Sequence, residues 1–211
     1  EDHCGLASWL QRNKGVFPLA PEGSLEQAGR KGRIPLYRRL FWGPRPAFEA
    51  KALPERVETE SFSFRVLRSP GHTREHVCLL EESRGWLFSG DLYVRSRPRV
   101  VFAEESVGDM IDTLNNMLQQ DFDTLFCAHA GIVRSGRQAL QEKLDYLTST
   151  REKVLYYLEQ GYPLKRIDNI LFPKKPLLTR ISRGEWSSLN MVRGAAKLPS
   201  DMPANNANLR E

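Results

Sequence analysis

The chain has 211 residues with 31 Lys and Arg against 26 Asp and Glu, a net charge of +5, and 40% hydrophobic and 9% aromatic residues. That is long enough to bury a sizeable core, and the composition excludes a coiled coil, a collagen-like chain and a wholly disordered one. No run approaches the roughly 20 apolar residues of a spanning helix, so no membrane role is expected.

In chain order, the start Glu1-Asp2-His3-Cys4-Gly5 lacks the build of a secretory signal. Leu6 to Gln11 reads as helix, stopped at Asn13-Lys14-Gly15. From Val16 to Pro54 the chain is rich in Gly, Pro and Arg and has no period. It reads as a long excursion with a short strand at Val16 to Leu19 and a short helix from Leu36 to Phe41, of the kind used as a lid or binding loop. Ser61 to Arg68 alternates, with Phe62, Phe64 and Val66 on one face, the pattern of a half-buried strand. His76 to Glu82 and Gly85 to Ser89 are predicted strands joined by the turn Glu82-Ser83-Arg84.

Beyond Pro98 the spacing turns helical. Val107, Met110, Ile111, Leu114, Met117 and Leu118 share a face, with Ser106 as N-cap and Asp109 in the capping-box position. Asp123 to Ala128 reads as a short buried strand. Gln138 to Gln160 reads as a long amphipathic helix with Leu140, Leu144, Leu147, Val154, Leu155 and Leu158 on its stripe, ended by Gly161. Pro163 opens a further helix as its first residue, carrying Ile167, Ile170 and Leu171. A last helix around Trp186 to Val192 precedes a polar tail from Pro199 to Glu211, expected to be mobile. Strands come first and helices last, so the expectation is a layered α/β domain with a helical C-terminal appendage.

The four histidines are not scattered. His3 follows Asp2. His72 lies in Ser69-Pro70-Gly71-His72-Thr73, directly after the alternating strand, with His76 four residues on. His129 lies in Cys127-Ala128-His129-Ala130-Gly131 and Asp91 in Ser89-Gly90-Asp91, each again directly after a predicted strand. Strand ends project to one edge of a layered sheet, so His72, Asp91 and His129 can converge there. Imidazole nitrogen and carboxylate oxygen suit zinc, iron or manganese. The three cysteines, Cys4, Cys78 and Cys127, form no CxxC pair and read as packed thiols of a reducing compartment, the cytoplasm.

These motifs resemble those of the metallo-β-lactamase superfamily. Asp2-His3 with Gly5 resembles the tail of its HxHxDH motif, Gly71-His72-Thr73 with His76 its GHTPGH motif, Ser89-Gly90-Asp91 its bridging-aspartate motif, and Ala128-His129-Ala130-Gly131 its last histidine motif. The resemblance covers about Glu1 to Ile132; the helices that follow resemble the appendage of glyoxalase II-like and endoribonuclease-type members.

The resemblance implies an αββα four-layer sandwich whose first strands lie ahead of Glu1, over residues 1–135, with a basic loop at 20–54, a helical appendage at 136–198 and the tail at 199–211. It also implies two metals, zinc first, with iron or manganese as options. Asp2, His3 and His129 would hold one, Asp91 would bridge, and His72 would hold the other with two histidines expected upstream of Glu1. His76 matches a position that supports the loop and is not a ligand. A hydroxide held between the ions would attack an ester, thioester or lactone carbonyl, with Asp2 orienting it or taking its proton. Arg74-Glu75 stands where the family has Pro-Gly, and Ala128 where it has Gly; both depart from glyoxalase II without touching the ligands.

Between Gln27 and Phe48 the chain has Arg30, Lys31, Arg33, Arg38, Arg39 and Arg45, no acidic residue, and interleaved Tyr37, Phe41, Trp42 and Phe48. Such a stretch can grip phosphate and stack bases, or receive an acidic thiol cofactor. The favoured expectation is a metallohydrolase of a small-molecule ester or thioester. A nuclease or phosphodiesterase of the same fold, and a mononuclear iron oxygenase or inactive interaction domain, remain alternatives, and a homo-oligomer stays open.

Overall fold

A computed structural model of the chain describes residues 3–32 and 34–197. The polar tail and Asp2 lie outside the described residues. The chain divides into two compact units, residues 1–61 and 62–211.

The first unit is built from short elements: α1 (Ala7–Lys14), β1 (Leu19–Ala20), α2 (Leu25–Ala28), α3 (Leu36–Trp42), β2 (Lys51–Ala52) and β3 (Arg56–Glu58). Helix α1 ends where the sequence predicts, at Gly15 in the left-handed region, whose N–H donates to Gln11 O at 3.1 Å. The strand expected at Val16 to Leu19 begins only at Leu19, because it is fixed by parallel pairing of Leu19 with Lys51 and Ala20 with Ala52. Ala7, Ala28 and Phe48 form a small core with Cys4 and Ala50 against it. Within the basic stretch, Arg45 Nη2 donates to the carbonyls of Gln27 (3.0 Å) and Arg30 (2.7 Å), and Arg30 pairs with Glu26.

The second unit holds β4 (Ser63–Arg68), β5 (Val77–Glu81), β6 (Trp86–Gly90), β7 (Val101–Phe102), α4 (Val107–Leu118), β8 (Thr124–Cys127), β9 (Gly131–Val133), α5 (Gly136–Glu159), α6 (Leu164–Leu171), α7 (Leu177–Ile181), β10 (Trp186–Ser187) and α8 (Ser188–Ala196). Five strands lie side by side in the order β4-β5-β6-β8-β9. The β5–β6 hairpin turns on Glu81, buried, whose carboxylate accepts from Arg84 N–H and Ser83 Oγ, each at 2.8 Å. Neighbours are antiparallel except β6 and β8, which run parallel across α4. Consequently β4, β6 and β8 point the same way, and the loops after all three open on one edge.

Alternation sorts the sheet into two faces. Cys78, Leu80, Leu87, Leu125 and Cys127 face a helical layer, with Val107, Met110, Leu114 and Met117 of α4, Leu140, Leu144 and Leu147 of α5, and Met191 and Val192 of α8 in the same core. Each such fully buried side chain contributes about 1.5–3 kcal/mol. Trp86, Phe88 and Phe126 point to the other face as an aromatic band, with Phe88 stacked on Phe126 at 4.6 Å and Phe64 edge-on to Phe88.

Helix α4 begins as predicted, with Ser106 Oγ accepting from Asp109 N–H. Pro163 stands one residue outside α6, as its N-cap rather than its first residue. The helix expected from Trp186 to Val192 starts later, at Ser188. Trp186 and Ser187 instead pair antiparallel with Phe102 and Val101, and Ser187 Oγ caps α8 through Asn190 N–H.

Candidate metal centre

The three same-direction strands bring three of the predicted ligands together. His72 sits in the loop after β4, Asp91 one residue past β6, and His129 two residues past β8. Asp91 lies between the two rings: its Oδ2 is 3.3 Å from His72 Nε2 and its Oδ1 is 3.1 Å from His129 Nε2. The carboxylate side chain is 7% exposed while the rings are 24% and 41% exposed, so the cluster opens on the surface. His3 belongs to the first unit, on the exposed turn ahead of α1.

Local backbone chemistry aims each candidate ligand. The β6–β8 ladder breaks register between Phe88 and Gly90, and Gly90 has φ +50°, which turns Asp91 out of the sheet. His76 then pins it, with Nε2 accepting from Asp91 N–H at 3.1 Å and Nδ1 bonded to Ser69 Oγ at 2.7 Å. His76 thus ties the loop after β4 to the loop after β6. Gly71 has φ +139°, and a Cβ there would fall 2.6 Å from Met110 Cγ and 2.9 Å from Met110 N, so only glycine allows the His72 loop to lie on α4. After β8, Cys127 Sγ accepts from the N–H groups of His129 (3.3 Å) and Ala130 (3.1 Å) and donates to Tyr93 O, tying the His129 and Asp91 loops. Cys78, fully buried beneath Ser69, has its thiol pKa pushed up to about 12 by desolvation. Both act as packed thiols, as expected.

Two charged side chains were not legible as site residues. Glu105 Oε1 lies 2.5 Å from His72 Nδ1. Lys143, on α5 and 4% exposed, donates from Nζ to Leu92 O, next to Asp91. Desolvation lowers its pKa from 10.5 to about 8, against the attraction of Glu105, Asp91, Cys127 and Cys78. A sequence signal for Lys143 exists: it falls on the apolar stripe of α5 at the helical spacing of Leu140, Leu144 and Leu147. Glu105 has none, since a glutamate ahead of a capped helix is ordinary.

The donor set fits a metal ion. With Nδ1–H given to Glu105, His72 Nε2 presents a lone pair to a carboxylate oxygen 3.3 Å away. Carboxylates on both sides of one imidazole favour positive charge at its Nε2, and a metal ion there fits the nitrogen and oxygen donors that converge on it.

A family model described as the metallo-beta-lactamase superfamily matches residues 1–129. The chain belongs to that superfamily. It is 32% identical over 74 residues, 35% of this chain and 29% of the relative, to a hydroxyacylglutathione hydrolase of Legionella pneumophila (strain Corby). It is 24% identical over 101 residues, 46% of this chain and 29% of the relative, to an atrochrysone carboxyl ACP thioesterase of Passalora fulva. The match thus spans less than a third of the length of these curated relatives. A metallo-beta-lactamase family protein of Thermus thermophilus shares the fold, with a TM-score of 0.64 at 19% identity over 89% of this chain and 68% of that one. Among the described residues no helix is long and apolar enough to cross a membrane.

Proposed function

We propose that the chain carries the metal centre of a hydrolase acting on a small ester or thioester. The observation that carries this reading is the placement of one buried carboxylate, Asp91, with its two oxygens on two different histidines. That is how a side chain shared by two ion sites is used. Asp2, His3 and His129 would hold one ion, His72 would serve the other, and Asp91 would be shared between them. Zinc is the first choice, with iron or manganese compatible with the same nitrogen and oxygen donors. When bound, such ions supply Lewis acidity toward a carbonyl oxygen and make water acidic near neutral pH.

The chain's own groups do the rest. Glu105 and His76 hold His72 and Asp91 in place, and Asp2 would orient the attacking water or take its proton. The hydrolase and thioesterase names of the two relatives support thioester cleavage. The nucleic-acid alternative is less supported, because Arg45 and Arg30 direct their charge within their own unit.

Metal analysis combined with a panel of ester, thioester, lactone and phosphodiester substrates tests the reading. Asp91→Ala is expected to abolish both metal retention and hydrolysis. Activity that survived this substitution would refute it. Phosphodiester cleavage falling steeply with salt would favour a nuclease instead.

A further inference from the structure

Glu105 stands 33 residues from His72 in sequence, in the turn between β7 and α4. Both of its oxygens are used. Oε1 meets His72 Nδ1 at 2.5 Å, and Oε2 accepts from Phe102 N–H at 2.6 Å. Its side chain is 10% exposed. We propose that Glu105 is the positioning residue of the second ion site, fixing His72 as the Nδ1–H tautomer and aiming Nε2 at Asp91. This rests on the metal-centre reading of the same cluster.

An imidazole has two nitrogens and a rotatable ring, and either nitrogen can hold the proton. A carboxylate on Nδ1–H settles tautomer and ring orientation together, and raises the basicity of the free nitrogen. For that to work the carboxylate must itself be rigid, and here it is braced from three sides. Phe102 N–H holds its second oxygen. Ser106 N–H donates to Gly71 O at 2.8 Å, so the residue after Glu105 is tied to the residue before His72. The turn's other end is clamped by the C-terminal segment: Phe102 stacks on Trp186 at 4.9 Å with 14° between planes, β7 pairs with β10, and Ala103 N–H donates to Glu185 O at 3.1 Å. The helical appendage thereby reaches the ligand site through one glutamate.

The chemistry also demands a carboxylate and not an amide. Two N–H donors converge on the side chain, and glutamine offers a single acceptor oxygen with a donor NH2 beside it. Glu105→Gln keeps the volume but satisfies only one partner.

The test uses the full chain, stripped of metal and held at a pH alkaline enough for His72 to be neutral, with Glu105→Gln and Glu105→Ala. Long-range 1H–15N imidazole spectra, with His72 assigned against His72→Asn, read the tautomer directly. Wild type is expected as Nδ1–H, and both variants shift toward Nε2–H. Zinc titration followed at the His72 imidazole nitrogens, so that only the His72 site is read, is expected to show binding weakened by about 10- to 100-fold in the alanine variant and by less in the glutamine variant. Should the alanine variant fail to fold, the isosteric glutamine carries the comparison. An unchanged His72 spectrum, or zinc binding within twofold of wild type in the glutamine variant, overturns the proposal. A wild-type chain that binds no zinc but loses the Nδ1–H tautomer in the variants would sink the metal reading and leave the positioning role standing.

Discussion

Lys143 is a charged group that folding buries at a cost. Its ammonium is 4% exposed, donates to Leu92 O, and has its pKa lowered from 10.5 to about 8 by burial. A lysine whose pKa falls on folding binds its proton more weakly in the native state than in the unfolded chain. Stability therefore rises with pH between about 8 and 10.5, and the penalty is fully present below 8. The lowering corresponds to a penalty of about 3 kcal/mol at neutral pH, of which about 1 kcal/mol is recovered between pH 7 and 9. Lys143→Met removes the charge, keeps most of the volume, and orphans Leu92 O at a cost of about 1–3 kcal/mol. Its stability at pH 7 should thus differ little from wild type, while the rise toward pH 9 disappears.

Urea denaturation of the metal-free chain at pH 7, 8 and 9 reads this directly. Cys78 does not confuse the comparison, because its thiol is pushed to about 12 and its opposite effect, which sets in as pH approaches the ordinary thiol value of 9.0, is common to both chains. Parallel slopes for wild type and Lys143→Met would refute the assignment of a desolvated ammonium at this position.

Three further outcomes follow from the same packing. Gly71→Ala forces a Cβ to within 2.6 Å of Met110 Cγ at φ +139°, so a loss of about 2–4 kcal/mol is expected in urea unfolding, with weaker zinc binding because His72 moves with the loop. Ser106→Ala removes the N-cap of α4 and should lower stability by about 1 kcal/mol without altering zinc affinity, since the tie to Gly71 is made by its backbone; a calorimetric melt with a zinc titration checks both. Ser187→Ala removes the matching cap on α8 and should cost a similar amount, read from the urea midpoint.

The candidate ligands were legible because they combine chemistry with position. His72, Asp91 and His129 each follow a strand whose alternation or apolar run shows in sequence, and each has a glycine or alanine beside it. Long elements were legible for the same reason: α4 and α5 repeat a helical period over many residues. The strands β1, β2, β7 and β10 have two residues each, too few for a period, and exist because of their partners. Trp186 shows this, reading as helix by its neighbours yet paired with Phe102 because the two rings stack. Glu105 was hidden for a related reason, since its meaning is a contact made 33 residues away.

The order of these dependences explains why the site needs its C-terminal helices. A strand end can present a histidine, but it cannot decide which nitrogen faces the carboxylate. That decision falls to Glu105, whose turn has only two strand residues of its own to hold it. Without β10 across from β7, the turn would lose the Phe102–Trp186 stack and the Ala103–Glu185 hydrogen bond, and its carboxylate would be held less firmly. Lys143 and His76 work on Asp91 in the same manner, one through Leu92 O from α5 and one through the Asp91 N–H from the β4–β5 loop. Each candidate ligand is thus aimed by a group from a different element, so the geometry of the proposed centre is set by the packing of helices on the sheet rather than by the motifs that announce it.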